Sequence, residues 1–206
     1  MKLPTLKKIS DKQGAAVPKG LEFSPLAMAL FAQGESARAW LEKLDSAALH
    51  EDAIRLLAGV LPRRDCVHWA LACSQEALAK TASPTQRAAL DATARWTKDP
   101  SDANRRAAGA ASETALLDNT AGCTALAAFM AEGSIAPAGL TPVPPAEHLC
   151  ALSSCVAIQL AAQMDGALAA AKHLQRFFEL GVKLAEEPTP WETAATVRAP
   201  APTKKR

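Results

Sequence analysis

Residues 83–102 read SPTQRAALDATARWTKDPSD, and this stretch carries two helix start signals. Ser83-Pro84-Thr85-Gln86 sets a capping hydroxyl before a proline at the first helical position, with glutamine placed to complete a capping box. Asp99-Pro100-Ser101-Asp102 repeats the signal. The spacing predicts one helix from Pro84 through Trp96 and another through Arg105 and Arg106 to about Leu117.

The same punctuation recurs on both sides. Ser24-Pro25 opens a short helix to about Gln33, where Gly34 ends it. Ala37, Trp40, Leu41 and Leu44 form one apolar face, and Leu49, Ala53, Leu56, Leu57 and Val60 another, both at the 3.6-residue period. Pro62 starts a helix with a stripe of Cys66, Trp69, Ala70, Cys73 and Ala77. A further helix spans about Thr120 to Glu132 and stops at Gly133. After a loop with Pro137, Pro142, Pro144 and Pro145 comes a final pair, 145–164 and 166–186. About eight helices with short connections predict an all-α fold, either an irregular antiparallel bundle or a short α-solenoid. No tetratricopeptide or ankyrin pattern is found.

Composition points the same way. The chain of 206 residues has 47 alanines, no tyrosine, five Phe and four Trp. Alanine has the best helix propensity, and a sheet would need more β-branched and aromatic residues. The formal charge of +2 is too close to neutrality for a polyanion-binding field, so nucleic acid is not expected as a partner. Cys66, Cys73, Cys123, Cys150 and Cys155 are odd in number and lie on apolar faces. That suits buried thiols in a reducing compartment, and a cytoplasmic location is expected. Lys2, Lys7 and Lys8 are not followed by an apolar run, so no secretory signal is read. The stretch Ala146–Met164 carries too many polar residues for a membrane span.

Three segments follow from this pattern. Residues 1–20, with five lysines and little apolar periodicity, are expected to be a flexible basic arm. Residues 21–187 form the helical domain, with a possible subdivision at 134–145. Residues 188–206 form a Pro-rich basic tail, in which Trp191 is the one side chain large enough to pack back onto the body.

The densest group of unusual residues is Pro62-Arg63-Arg64-Asp65-Cys66-Val67-His68-Trp69. Two arginines in the first turn of a helix oppose its macrodipole, so local stability alone does not explain them. Arginine beside tryptophan is the composition of a protein-binding hot spot, whereas a structural role would have Trp69 in the core and the arginines bridging helices. Arg63, Arg64, Asp65 and His68 are therefore the candidate partner-binding residues, with Arg105 and Arg106 as a second basic pair. Cys66/His68 and His148/Cys150 are each two residues apart, on opposite sides of a helix, so neither pair makes a nucleophile or a close metal-ligand pair. With no Gly-rich phosphate loop, Gly-x-Ser-x-Gly elbow or His-Glu-x-x-His helix, no catalytic, cofactor-binding or metal-binding residue is assigned.

Leu61-Pro62-Arg63-Arg64, His68-Trp69-Ala70, Ala92-Thr93-Ala94-Arg95-Trp96, Asp99-Pro100-Ser101 and Asn104-Arg105-Arg106-Ala107-Ala108 resemble an uncharacterised family of Ala-rich helical bacterial proteins associated with type VI secretion loci. The resemblance covers about residues 36–185. The stretch from Trp96 to Ala111 also resembles predicted immunity-type helical proteins found beside toxins. The first resemblance implies a non-enzymatic adaptor or chaperone for a secreted effector or spike component. The second implies an immunity protein that neutralises a toxin. A small metabolic enzyme without a recognisable motif is the third alternative.

Overall fold

A computed structural model describes residues 3–9, 17–189 and 191. Nine helices and no strand occur among the described residues: α1 (Pro25–Leu30), α2 (Ala37–Ser46), α3 (His50–Val60), α4 (Arg63–Ala77), α5 (Pro84–Lys98), α6 (Asp102–Ala115), α7 (Thr120–Phe129), α8 (Leu149–Gln163) and α9 (Ala167–Glu186). The all-α expectation holds. Two start signals act as read, with Ser83 and Gln86 closing a reciprocal capping box on α5 and Ser24 capping α1 ahead of Pro25; at the third, Ser101 is the cap of α6 and Pro100 lies before it. Ends differ by a few residues. α6 stops at Ala115 because Leu116 takes φ 68°, and α8 begins only at Leu149, after Pro144 and Pro145. No helix among the described residues is long and apolar enough to cross a membrane.

The packing distinguishes a bundle from a solenoid. In a solenoid each unit touches only its neighbours along the chain, but here α8 packs against α3, α4, α7 and α9. Its buried positions, including Cys150, Ser153, Ser154, Cys155, Ile158 and Ala162, take up more than half of the helix circumference, with Leu152 and Gln163 on the open side. The proline-rich loop before it therefore crosses the surface between helices of one irregular bundle. Hydroxyls tie the centre together: Thr120 donates to the Ala157 carbonyl (2.7 Å), and Ser74 Oγ lies 2.6 and 2.7 Å from the Thr120 and Thr124 hydroxyls. This joins α4, α7 and α8 and satisfies polar groups sealed from water.

Alanine-rich helices leave the filling of the core to a few large rings. Trp40, Trp69, Trp96, Phe177 and Phe178 are all buried. Close approach needs small residues at the contacts: a Cβ on Gly181 of α9 would sit 2.4 Å from the Trp69 ring. Truncating a buried ring of this kind costs about 3–5 kcal/mol. All five cysteines are free and buried, and burial pushes the Cys66 thiol up to about 12. Among the described residues no group of His, Cys, Asp and Glu is arranged to hold a metal ion.

The expectation of a flexible arm fails for residues 3–9. Leu3, Leu6 and Ile9 are buried in the main core. The Leu3 carbonyl accepts from Arg38 (2.6 Å), the Leu3 N–H donates to Glu42 (3.0 Å), and the Lys8 N–H donates to the Ala185 carbonyl (3.2 Å). Spacing of three between those apolar residues was the signal, obscured by the surrounding lysines. Residues 1, 2, 10–16, 190 and 192–206 lie outside the described residues, and with them part of the arm and most of the tail.

Candidate functional site

Arg63 and Arg64 open α4, yet their guanidiniums serve the C-terminal ends of other helices. Arg63 Nη1 donates to the Ala131 carbonyl just beyond α7 (2.8 Å). Arg64 donates through Nε to Thr97 O and through Nη2 to Lys98 O, both at 2.8 Å, forking over the end of α5. Helix C-termini carry unpaired carbonyls and partial negative charge. A pair poorly placed for the dipole of α4 is thus well placed for those of α5 and α7. This is the helix-bridging role set beside the interface reading in the sequence, and Trp69 lies in the core as that role requires. Both side chains bridge helices, although Arg63 stays exposed and Arg64 half-buried.

Asp65 is buried and pairs with Lys8 at 2.8 Å, both side chains only 6% exposed. It holds the N-terminal segment and does not face outward, so as a partner contact it is misplaced. His68 is half-buried, and its Nδ1 has no hydrogen-bond partner among the described residues. Desolvation lowers its pKa, against the pull of Asp65 and with help from Lys8 and Arg64. Its ring meets the Trp191 ring edge-on at 5.2 Å, and the Arg64 guanidinium lies over the same indole at 4.4 Å. Trp191 therefore packs back onto the body. Beside it a pocket of about 350 Å³ is lined by His68, Leu180, Lys183, Leu184 and residues 187–189.

Arg105 and Arg106 lie apart from the α4 pair in function. Arg105 is 1% exposed; it meets Asp102 at 2.6 Å, and donates to Phe129 O (2.8 Å) and Ser134 O (2.7 Å) while lying over the Phe129 ring. Arg106 pairs with the other Asp102 oxygen (2.8 Å) and donates to Ala136 O (3.0 Å). These bonds fasten the base of the 134–143 loop. Arg105 is consumed by that task and is no partner contact.

The loop itself escaped sequence reasoning, which read it only as a connection with a possible subdivision at 134–145. The Ser134 hydroxyl accepts from Ala136 N and Val143 N, Ile135 N donates to Val143 O (2.8 Å), and Leu140 N donates to Pro137 O. On this pinned frame Ile135, Leu140 and Val143 stand exposed, Leu140 at 64%. The signal available was apolar residues alternating with prolines in a segment lacking helical period.

A smaller pocket, of about 210 Å³, lies where α4 begins, lined by Arg63, Arg64, Trp96, Pro100, Ala131 and Glu132. Partial burial lowers the pKa of Arg64, opposed by Asp65, Glu132 and Asp99; a guanidinium remains a cation nonetheless.

No curated protein and no solved structure matches the chain. Residues 40–185 match DUF6931, a family of unknown function; the matched span agrees with the extent of the resemblance read from the sequence, and nothing in the match links it to type VI secretion or to toxin immunity. Since the match covers well over half of the sequence, the chain belongs to this family.

Proposed function

We propose that the protein acts by binding another protein, without catalysis, and that the 134–143 loop is a principal contact. One observation carries this reading. Three apolar side chains, Ile135, Leu140 and Val143, are held out to solvent on a loop whose base is fixed by a buried arginine and a serine hydroxyl. A connection needs neither feature. Grouped apolar exposure on a rigid frame suits a contact that loses little entropy on binding. The finer reading, an adaptor or chaperone for a type VI secretion effector or spike component, rests on the sequence resemblance alone.

A photo-cross-linking residue at position 140 tests the proposal in the native cell. The expected result is one dominant cross-linked protein, lost when Val143→Asp is added. Cross-links no richer than those from exposed Glu113 would contradict it. If the captured protein is a toxin and co-expression restores growth, the role is immunity; if its export fails without this protein, the role is adaptor.

A further inference from the structure

We propose that the pocket where α4 begins is a carboxylate-binding site, with Arg63, Arg64 and the indole N–H of Trp96 as its donors. The argument is independent of the 134–143 loop.

It starts from a contrast among three tryptophans. Trp40 Nε1 donates to Ala27 O (3.2 Å) and Trp69 Nε1 donates to Phe177 O (2.8 Å). Trp96 is just as deeply buried, 1% exposed, and its Nε1 has no acceptor among the described residues. A buried donor left unpaired is costly, and native folds rarely leave one without a reason. Trp96 is also one of the residues that line the pocket where α4 begins, so an acceptor bound there would lie beside the ring that carries this N–H.

The same pocket collects further donors. α4 has Pro62 at its N-cap and no side-chain cap, so the N–H groups of its first turn have no intrahelical acceptor and carry the positive end of the helix dipole. Arg63 commits one nitrogen to Ala131 O, and Arg64 commits Nε and Nη2 to the end of α5. A guanidinium has five N–H donors, so both retain donors for a ligand. Neither pairs with a carboxylate of a described residue. Their bonds to carbonyls hold the forks in place before any ligand arrives, which reduces the entropy lost on binding.

The charge balance selects the ligand class. Glu132 lines the pocket, and the negative ends of α5 and α7 lie beside it. Two guanidiniums and a helix N-terminus offset these for a monoanion, but a dianionic phosphate would meet more repulsion. A planar carboxylate fits paired guanidinium donors. It could come from an acidic or C-terminal group of a protein or from a small organic acid.

The test follows the indole N–H resonance of Trp96 in the full chain, assigned with Trp96→Phe. The probes are sodium propionate, acetyl-trialanine with a free carboxylate, the same peptide as its amide, and inorganic phosphate. Propionate or the free-acid peptide should shift the resonance saturably, and Arg63→Gln, at an exposed position, should weaken binding about tenfold. Arg64→Lys should weaken it as well, with thermal melting confirming that each variant folds. Tighter binding of the peptide than of propionate assigns the site to protein carboxylates, and the reverse order to small acids; either supports the proposal. No saturable shift with any carboxylate, an equal response to the amide, tighter binding of phosphate, or unchanged affinity in both folded arginine variants would overturn it.

Discussion

The chain contains two Arg-Arg pairs near helix starts, and they have opposite fates. At 105–106, Asp102 stands three and four residues earlier on α6, so both guanidiniums find a carboxylate on their own helix and spend their other donors on the turn after α7. At 63–64, the nearby acid, Asp65, turns inward to Lys8, and the arginines reach carbonyls and, for Arg64, the Trp191 ring. The same dipeptide is a carboxylate-paired brace with Arg105 sealed in one place and a half-open set of donors in the other. What decides is the local supply of carboxylate and the depth of burial, which composition does not reveal.

The largest effect that would sharpen this contrast is expected from Arg105→Ala. It opens a cavity, strands the Phe129 and Ser134 carbonyls and frees the loop base, for a loss of about 4 kcal/mol in urea denaturation. A loss below about 1 kcal/mol would show that water replaces the guanidinium easily.

Gly133→Ala attacks the same brace from the other side. Gly133 has φ 72°, and a Cβ there would lie 2.8 Å from Arg105 Nε. Left-handed strain and the displaced guanidinium together should cost about 2 kcal/mol. A variant as stable as the parent would mean that the Arg105 bonds are looser than their lengths imply.

The smallest effect is acid sensitivity. Hydrogen bonds from Arg105 and then Arg106 lower the pKa of Asp102. A carboxylate depressed in the folded state contributes stability above its unfolded value of about 3.9, and that contribution is lost as pH falls through the folded value. Asp102 is 60% exposed, so solvent screening keeps the effect small. Asp102→Asn should flatten the stability profile below about pH 4 and leave the first pair unaffected; an unchanged profile would show that the pairing is not felt in solution.

Sequence and structure diverge where partners are distant. Helix starts were legible because Ser24, Ser83 and Ser101 act on backbone only two or three residues away. The arginines were noticed for a sound reason, their conflict with the α4 dipole, but their acceptors at Thr97 and Ala131 are set by tertiary packing. Leu3, Leu6 and Ile9 were overlooked because they enter the main core from a non-helical segment whose backbone is tied to α9 and α2. The missing acceptor of Trp96 cannot be read from residue order at all, since Trp40 and Trp69 look no different in sequence.

The claim that one pair is consumed by the fold while the other is held out for a ligand is tested most directly by urea denaturation of Arg63→Ala/Arg64→Ala beside Arg105→Ala. The account predicts that the double variant loses about 1 kcal/mol, because water reaches the carbonyls it uncovers. A loss equal to that of Arg105→Ala would contradict it and make both pairs braces of the fold.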